Sequence, residues 1–185
     1  MENEHIDISR IKGILVDKYM ASDQTSVQER NKDAKGKEFV MKRDVVGHSS
    51  IEYVIYRFDP DKVDLFPYFK EVKGLRKICD YLIFAEDKSR LFAFIVELKR
   101  HQGSPRTQLE LSECFVRFIL EKANKVGRGI EKELHIRKIG LKDSGYSDKR
   151  RTTYYKDMQY EEGGYLLLQD KCPLRLALLM DLPFG

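Results

Sequence analysis

The stretch Lys77-Ile78-Cys79-Asp80-Tyr81-Leu82-Ile83-Phe84 is answered, after a short charged turn, by Phe94-Ile95-Val96-Glu97-Leu98-Lys99. Residues 77–85 and 91–99 read as strands joined by Glu86 to Arg90. The first strand is apolar on both faces, with Ile78, Leu82 and Phe84 on one and Tyr81 and Ile83 on the other. Strands of that kind belong in the middle of a sheet covered on both sides. Asp80, Glu97 and Lys99 are therefore out of place, because charges are rarely buried unless paired.

A turn of two residues (Lys88-Ser89) or of four (Asp87 to Arg90) gives one register. Glu86 faces Leu91, Phe84 faces Ala93, Leu82 faces Ile95 and Asp80 faces Glu97. Directly opposed residues have Cβ atoms roughly 4.5–5.5 Å apart, and like charges so placed destabilise the pair. Lys99, two residues beyond Glu97, points to the same face. The two carboxylates call for a cation. Lys99 is one; Mg²⁺ or Mn²⁺, which take oxygen ligands and keep several waters, would be a stronger one. Such a metal polarises a phosphoryl oxygen and lowers the pKa of bound water. Lys99 would orient or help deprotonate that water, or neutralise charge in the transition state. The plainer reading is a set of solvated charges at the hairpin's open end. The apolar faces of the strands favour the first reading.

Working outward, apolar residues from Ile6 to Tyr19 recur at helical spacing and predict a helix over 7–20. Residues 21–37 lack an apolar period and read as a mobile loop, with a helix over part of them left open. Strands are expected over 38–46 and 51–58, paired as a hairpin through Gly47-His48-Ser49-Ser50. A short helical or irregular segment, 60–70, follows. Ser104-Pro105 starts a helix whose apolar stripe is Leu111, Cys114, Phe115, Phe118, Ile119 and Val126, and which Gly127 and Gly129 stop. Leu134 to Leu141, Tyr165 to Leu168 and Leu174 to Met180 read as strands. The order is that of an α/β or α+β sheet covered by helices.

Composition fits this picture. The chain has 185 residues, so one domain (1–185) is the default, with 1–37 as an N-terminal helix and loop, 38–140 as core and 141–185 as an extension of the sheet. A net charge of +4 permits a nucleic-acid partner without requiring one. Cys79, Cys114 and Cys172 lack zinc spacing and read as reduced core thiols. The polar start is unlike a signal peptide, and no apolar run approaches the ~20 residues of a membrane span. A cytoplasmic protein without a membrane partner is expected. His5, His48, His101 and His135 accompany no nucleophile, so Ser or Cys chemistry has no support.

Cys79-Asp80, sixteen intervening residues, Glu97-Leu98-Lys99 and then an amphipathic helix resemble the PD-(D/E)xK nuclease superfamily, over roughly residues 38–140. The resemblance implies a restriction-endonuclease-like core in the order αβββαβ, with a mixed central sheet flanked by helices. It makes Asp80 and Glu97 metal ligands, with the Leu98 carbonyl as another, Lys99 the catalytic lysine, and Mg²⁺ or Mn²⁺ the cofactor. Cys79 stands where the family has a proline. Many members add an acid on an upstream helix; Glu52, Asp61 and Asp64 are loose candidates. Gln108 stands where some exonuclease-like members turn a glutamine to the active site. No tyrosine follows at their spacing, and an exposed helix glutamine is expected here.

Lys149-Arg150-Arg151, near Tyr146, Tyr154 and Tyr155, forms a basic and aromatic loop suited to phosphates and bases. A solvated loop reads the same way. Arg100, His101 and Arg106 flank the motif as further phosphate contacts. The expected function is a metal-dependent nuclease acting on phosphodiester bonds, in DNA first, with RNA left open, in defence or DNA processing. A homodimer or a protein partner is also left open. The alternatives are a non-cleaving nucleic-acid-binding or assembly subunit with the same fold, and an interaction module whose hairpin charges are structural.

Overall fold

The computed structural model describes residues 6–32, 38–58, 68–70, 72, 74–99, 103–142, 158, 160–168 and 172–183. In chain order these form α1 (Ile6–Ile14), a 3-10 turn (Asp17–Tyr19), β1 (Ser26–Lys32), β2 (Glu38–Val46) and β3 (Glu52–Arg57). Then come β4 (Tyr81–Glu86), β5 (Leu91–Lys99), α2 (Arg106–Lys125), β6 (Leu134–Lys142), β7 (Tyr160–Glu161), β8 (Tyr165–Leu168), β9 (Leu174–Arg175) and α3 (Leu176–Asp181). The fold is mixed α/β. One sheet has the order β3-β4-β5-β6-β8-β7, and a second has the order β1-β2-β9. β3, β4 and β5 are antiparallel neighbours, whereas β6 runs parallel to β5 and is reached through α2. That is the long crossover a parallel pair needs.

The central hairpin has the expected register, with Leu82 opposite Ile95, Phe84 opposite Ala93 and Glu86 opposite Leu91. Asp87 closes the turn: its Oδ1 accepts the amides of Ser89 (2.9 Å) and Arg90 (2.7 Å). All of β4 and all but the last residue of β5 are buried. Alternation sends the two faces into two cores. Leu82, Phe84, Leu91, Ala93 and Ile95 pack with Ile8 and Ile11 of α1 and Leu109, Val116 and Leu120 of α2. Ile83, Ala85, Phe92, Phe94 and Val96 pack instead with Val27, Met41 and Val45 of the small sheet and with Leu176, Leu179 and Met180 of α3. Helices cover one face, and the small sheet with α3 covers the other.

At its turn end the hairpin is tied to α1 by buried charges. Glu86 is wholly buried, and its carboxylate accepts the Ile8 amide (2.9 Å) and the Asp7 amide (3.4 Å). It thus caps the first turn of α1 from another element, meeting donors the helix cannot satisfy itself. Lys132 Nζ donates to Glu86 Oε1 at 2.6 Å and to the Asp87 carbonyl at 2.7 Å. Asp7 in turn accepts the amides of Glu131 (2.8 Å) and Lys132 (2.9 Å).

Several expectations fail for identifiable reasons. Within 21–37, residues Ser26–Lys32 form a strand, not a loop, laddered antiparallel to β2. Val27 supplies its buried contact, too little for a periodicity to register. β2 and β3 are both strands but do not pair: β2 lies in the small sheet and β3 beside β4. The His48 carbonyl to Ile51 amide bond (2.9 Å) makes a turn that carries the chain from one sheet to the other. Gly47 is needed there, since a Cβ would lie 2.8 Å from the Tyr53 ring. The segment Leu174 to Met180 is a two-residue strand followed by α3, an ambiguity inherent in a short apolar run. Arg137, buried beneath it, donates to the Met180, Leu182 and Pro183 carbonyls, a cation at a helix C-terminus. Of the thiols, Cys79 is buried but Cys114 is exposed, so the core reading holds for Cys79 and fails for Cys114.

α2 starts and stops as its sequence predicts, with Ser104 Oγ accepting the Arg106 amide (3.2 Å) and Gly127 at φ 70° after its end. Its core-facing stripe differs. Leu109, Ser112, Val116, Leu120 and Ala123 are buried, whereas Cys114, Phe118 and Val126 are exposed. The helix carries two apolar stripes, and the larger residues mark the outer one.

Candidate functional site

The β4–β5 ladder ends at Tyr81 opposite Val96, and its ending makes the site. Continued by one more hydrogen-bonded pair, Cys79 would face Leu98. The Cys79 amide is instead taken by Ser112 Oγ of α2 at 2.7 Å, and that hydroxyl donates on to the Gln108 carbonyl at 2.7 Å. β4 is thereby drawn toward the helix. The Asp80 side chain fills the gap, Oδ2 accepting the Leu98 amide at 2.7 Å. A residue in a regular strand turns its amide and carbonyl to the same neighbour, so the Leu98 carbonyl lies along this same edge.

Glu97 sits across from Asp80, 1% exposed. Its Oε1 takes two donors, Lys99 Nζ at 2.7 Å and Gln108 Nε2 at 2.6 Å. Its Oε2 is buried and has no hydrogen-bond partner among the described residues. An unsatisfied buried carboxylate oxygen is costly. Gln108 is therefore part of the site, not the exposed helix residue expected from sequence.

Gly140 lets α2 come this close. It pairs with Glu97 in the β5–β6 register, and a Cβ there would lie 2.7 Å from the Pro105 ring and 3.3 Å from Leu167. The start of α2 can lie against β6 beside Glu97 only because that side chain is absent.

The electrostatics follow from the geometry. Burial pushes the Asp80 carboxyl up to about 7, helped by the negative charge of Glu97 and opposed by the Leu98 amide. Burial also raises Glu97, against the pull of Lys99 and of the Asp80 backbone amide. Glu29 of β1 adds a third negative charge that raises both. β1 is held near by the Tyr81 hydroxyl, which donates to the Gln28 carbonyl (2.7 Å) and accepts its amide (3.1 Å).

Among the described residues, no three His, Cys, Asp or Glu side chains converge as a ready-made metal cluster. A site of two carboxylates does not require one, since Mg²⁺ is commonly held by one or two carboxylates with waters and substrate phosphates. The open oxygen of Glu97, the raised Asp80 and the Leu98 edge fit such an ion. They are hard oxygen donors, and among the described residues Lys99, Gln108 and the Leu98 amide are their counterweights.

The remaining expected site residues separate clearly. Glu52 lies opposite Glu86 at the far end of the hairpin and pairs with Lys12 at 2.9 Å, so it is no part of this site. Arg106 is exposed and paired with Glu110 at 2.8 Å. Asp61, Asp64, Arg100, His101, Lys149, Arg150 and Arg151, with Tyr146, Tyr154 and Tyr155, lie outside the described residues. Ser112, Gly140 and Glu29 escaped the sequence reading. Ser112 follows Gln108 by one helical turn, and that spacing was the signal available for it. No described helix is long and apolar enough to cross a membrane. No protein-family model, curated protein or solved structure matches this chain.

Proposed function

We propose that the chain is a metal-dependent nuclease that hydrolyses phosphodiester bonds, with DNA as its first substrate. The observation that carries this reading is Glu97: a buried carboxylate with one oxygen held by Lys99 and Gln108 and the other without a hydrogen-bond partner among the described residues, near the half-buried carboxylate of Asp80. A purely structural ion pair would satisfy both oxygens. The element order supports the reading as well. With β1 and β2, which intervene in the chain and form the small sheet, set aside, α1, β3, β4, β5, α2 and β6 (parallel to β5) follow one another in the order αβββαβ that the resemblance to PD-(D/E)xK nucleases implies.

Asp80 and Glu97, with the Leu98 carbonyl, are the oxygens that would hold Mg²⁺ or Mn²⁺. Such an ion supplies a Lewis acid for a phosphoryl oxygen and a water that ionises near neutral pH. Gln108 fixes the carboxylate plane of Glu97, as outer hydrogen-bond partners do for metal ligands. Lys99, 28% exposed at the mouth of the site, keeps a positive charge where negative charge grows on the phosphate in the transition state. With a metal bound, it would also orient or help deprotonate the attacking water.

The test is cleavage of single-stranded DNA, double-stranded DNA and RNA with Mg²⁺ or Mn²⁺, for the wild type, Asp80→Ala and Lys99→Ala. Metal-dependent cleavage lost in both variants is the expected result. Equal cleavage by all three would sink the assignment. Salt-sensitive binding without cleavage, unchanged in Asp80→Ala, would leave the non-cleaving subunit in its place.

A further inference from the structure

α2 is apolar on two nearly opposite sides. At about 100° per residue, the sheet-facing stripe and the stripe of Leu111, Cys114, Phe115 and Phe118 diverge. Of the second stripe, Phe115 packs against the core while Cys114 and Phe118 are exposed. With Tyr68, Phe69, Leu75 and Lys77 the stripe walls an open cavity of about 290 Å³. Tyr68 is 68% exposed and Phe118 51%. That is a concentration of aromatic surface which soluble chains rarely leave to solvent without a use.

The cavity has the size and lining for one flat ring system. Its volume lies near the lower end of small-molecule sites, which run from about 300 to 1,000 Å³. Phe115 is fixed by an edge-on contact with core Phe58 (5.5 Å, 89°), and Tyr68 meets Phe69 at 5.0 Å. Lys77 brings a positive charge to this otherwise apolar wall.

Both walls run into the carboxylate site. Lys77 precedes Asp80 by three residues, so their Cα atoms lie within about 11 Å. Leu111 follows Gln108 by one helical turn, which puts their Cβ atoms about 5–6 Å apart, and Gln108 holds Glu97. An occupant of the cavity would sit beside whatever the carboxylates address.

We propose that this cavity receives one unstacked nucleobase of the substrate strand, adjacent to the phosphodiester at Asp80 and Glu97, with Lys77 on a neighbouring phosphate. The enzyme then acts on single strands or frayed ends, because a base inside a duplex must be unstacked before it can enter. Stacking accepts any base, since every base has a π face, and the apolar lining offers little else to read. Cleavage there is tolerant of sequence. This proposal rests on the nuclease reading.

The test uses the full chain and short fluorescent single-stranded oligonucleotides, intact or carrying one abasic nucleotide moved along the strand. Binding is read by anisotropy in Ca²⁺, and cleavage separately in Mg²⁺. The variant is Phe118→Ala, whose exposed side chain should not be needed for folding. Wild type should lose about ten-fold or more in affinity when the abasic nucleotide reaches one position. Phe118→Ala should lose as much with intact strand and be indifferent to that abasic position, the signature of two changes acting on one contact. Intact strand should also slow maleimide labelling of Cys114 in a Cys172→Ser background. Additive losses, no abasic effect, or unprotected Cys114 overturns the proposal. So does Phe118→Ala abolishing a self-association while leaving oligonucleotide binding unchanged, which puts a second copy in the cavity. Asp80-dependent cleavage without the coupling overturns the base pocket alone. The coupling without cleavage supports the pocket and overturns the nuclease reading alone.

Discussion

The two ends of the β4–β5 hairpin carry buried carboxylates on the same face of the same sheet, and they are finished differently. At the turn end, Glu86 accepts two amides of α1 and an ammonium from Lys132, and Asp7 beside it accepts two more amides. At the open end, Asp80 accepts the Leu98 amide, while Glu97 crowds two side-chain donors on one oxygen and has, among the described residues, no hydrogen-bond partner on the other. Each end is met by the N-terminal part of a helix, α1 at Glu86 and α2 at Glu97. The difference lies in what the helix brings. α1 brings backbone donors, which complete the site. α2 brings Gln108 and Ser112, which orient the carboxylates and hold the strands apart. A buried charge with all its partners is a structural joint; one whose partners stop short is poised for something else.

The comparison breaks most visibly at Asp80. Asp80→Asn should lower metal-dependent cleavage about 10³-fold, yet raise the thermal midpoint of the metal-free protein, because a half-buried charge repelled by Glu97 is removed. A fall in both would make Asp80 a structural residue like Glu86. Glu86→Ala should do the reverse: about 3–5 kcal/mol of stability lost in urea unfolding, because the α1 amides and the Lys132 ammonium lose their buried carboxylate. Cleavage per folded molecule should not change. Gln108→Ala should cost about 10–100-fold in metal affinity or rate with little change in fold, measured as a shift in the Mg²⁺ concentration for half-maximal cleavage. Gly140→Ala should destabilise by about 1–3 kcal/mol through overpacking against Pro105, with cleavage reduced beyond what unfolding explains because α2 is pushed from Glu97.

The smallest effect concerns pH. Asp80 and Glu97 are both raised in the fold, and Asp80 to about 7. A carboxyl raised by folding binds its proton more tightly in the native state, so stability falls as pH rises from the ordinary carboxylate range through about 7. A scan of the metal-free protein from about pH 5 to about pH 8 should show this decline, at about 2–4 °C per kcal/mol for a chain of this size. Asp80→Asn should flatten it. Mg²⁺ should restore more of the midpoint at the upper end of the range than at the lower. A flat wild-type profile would place Asp80 in solvent.

How much of this was legible varies by residue. The hairpin was, because its register follows from the turn and its burial from strands apolar on both faces. Asp80, Glu97 and Lys99 followed from that register. Glu52 was misplaced among candidates because nothing in the sequence tells which end of β4 its strand meets. β1 was missed because a ribbon held mainly by its backbone ladder needs one buried side chain, not a pattern. The stripe on α2 was misread because both faces are apolar and the larger residues lie on the outer one.

The sequence by itself determined the central hairpin, the helix that follows it and the placement of two acids and a lysine on one face. Period-two alternation and turn length are local rules, written in neighbouring residues. The tertiary structure alone decided what those acids are. Whether a carboxylate is a joint or an open ligand depends on how many donors reach it. Those donors come from Gln108, Lys132 and the amides of α1, residues 11 to 79 positions away along the chain, brought together only when the helices close on the sheet.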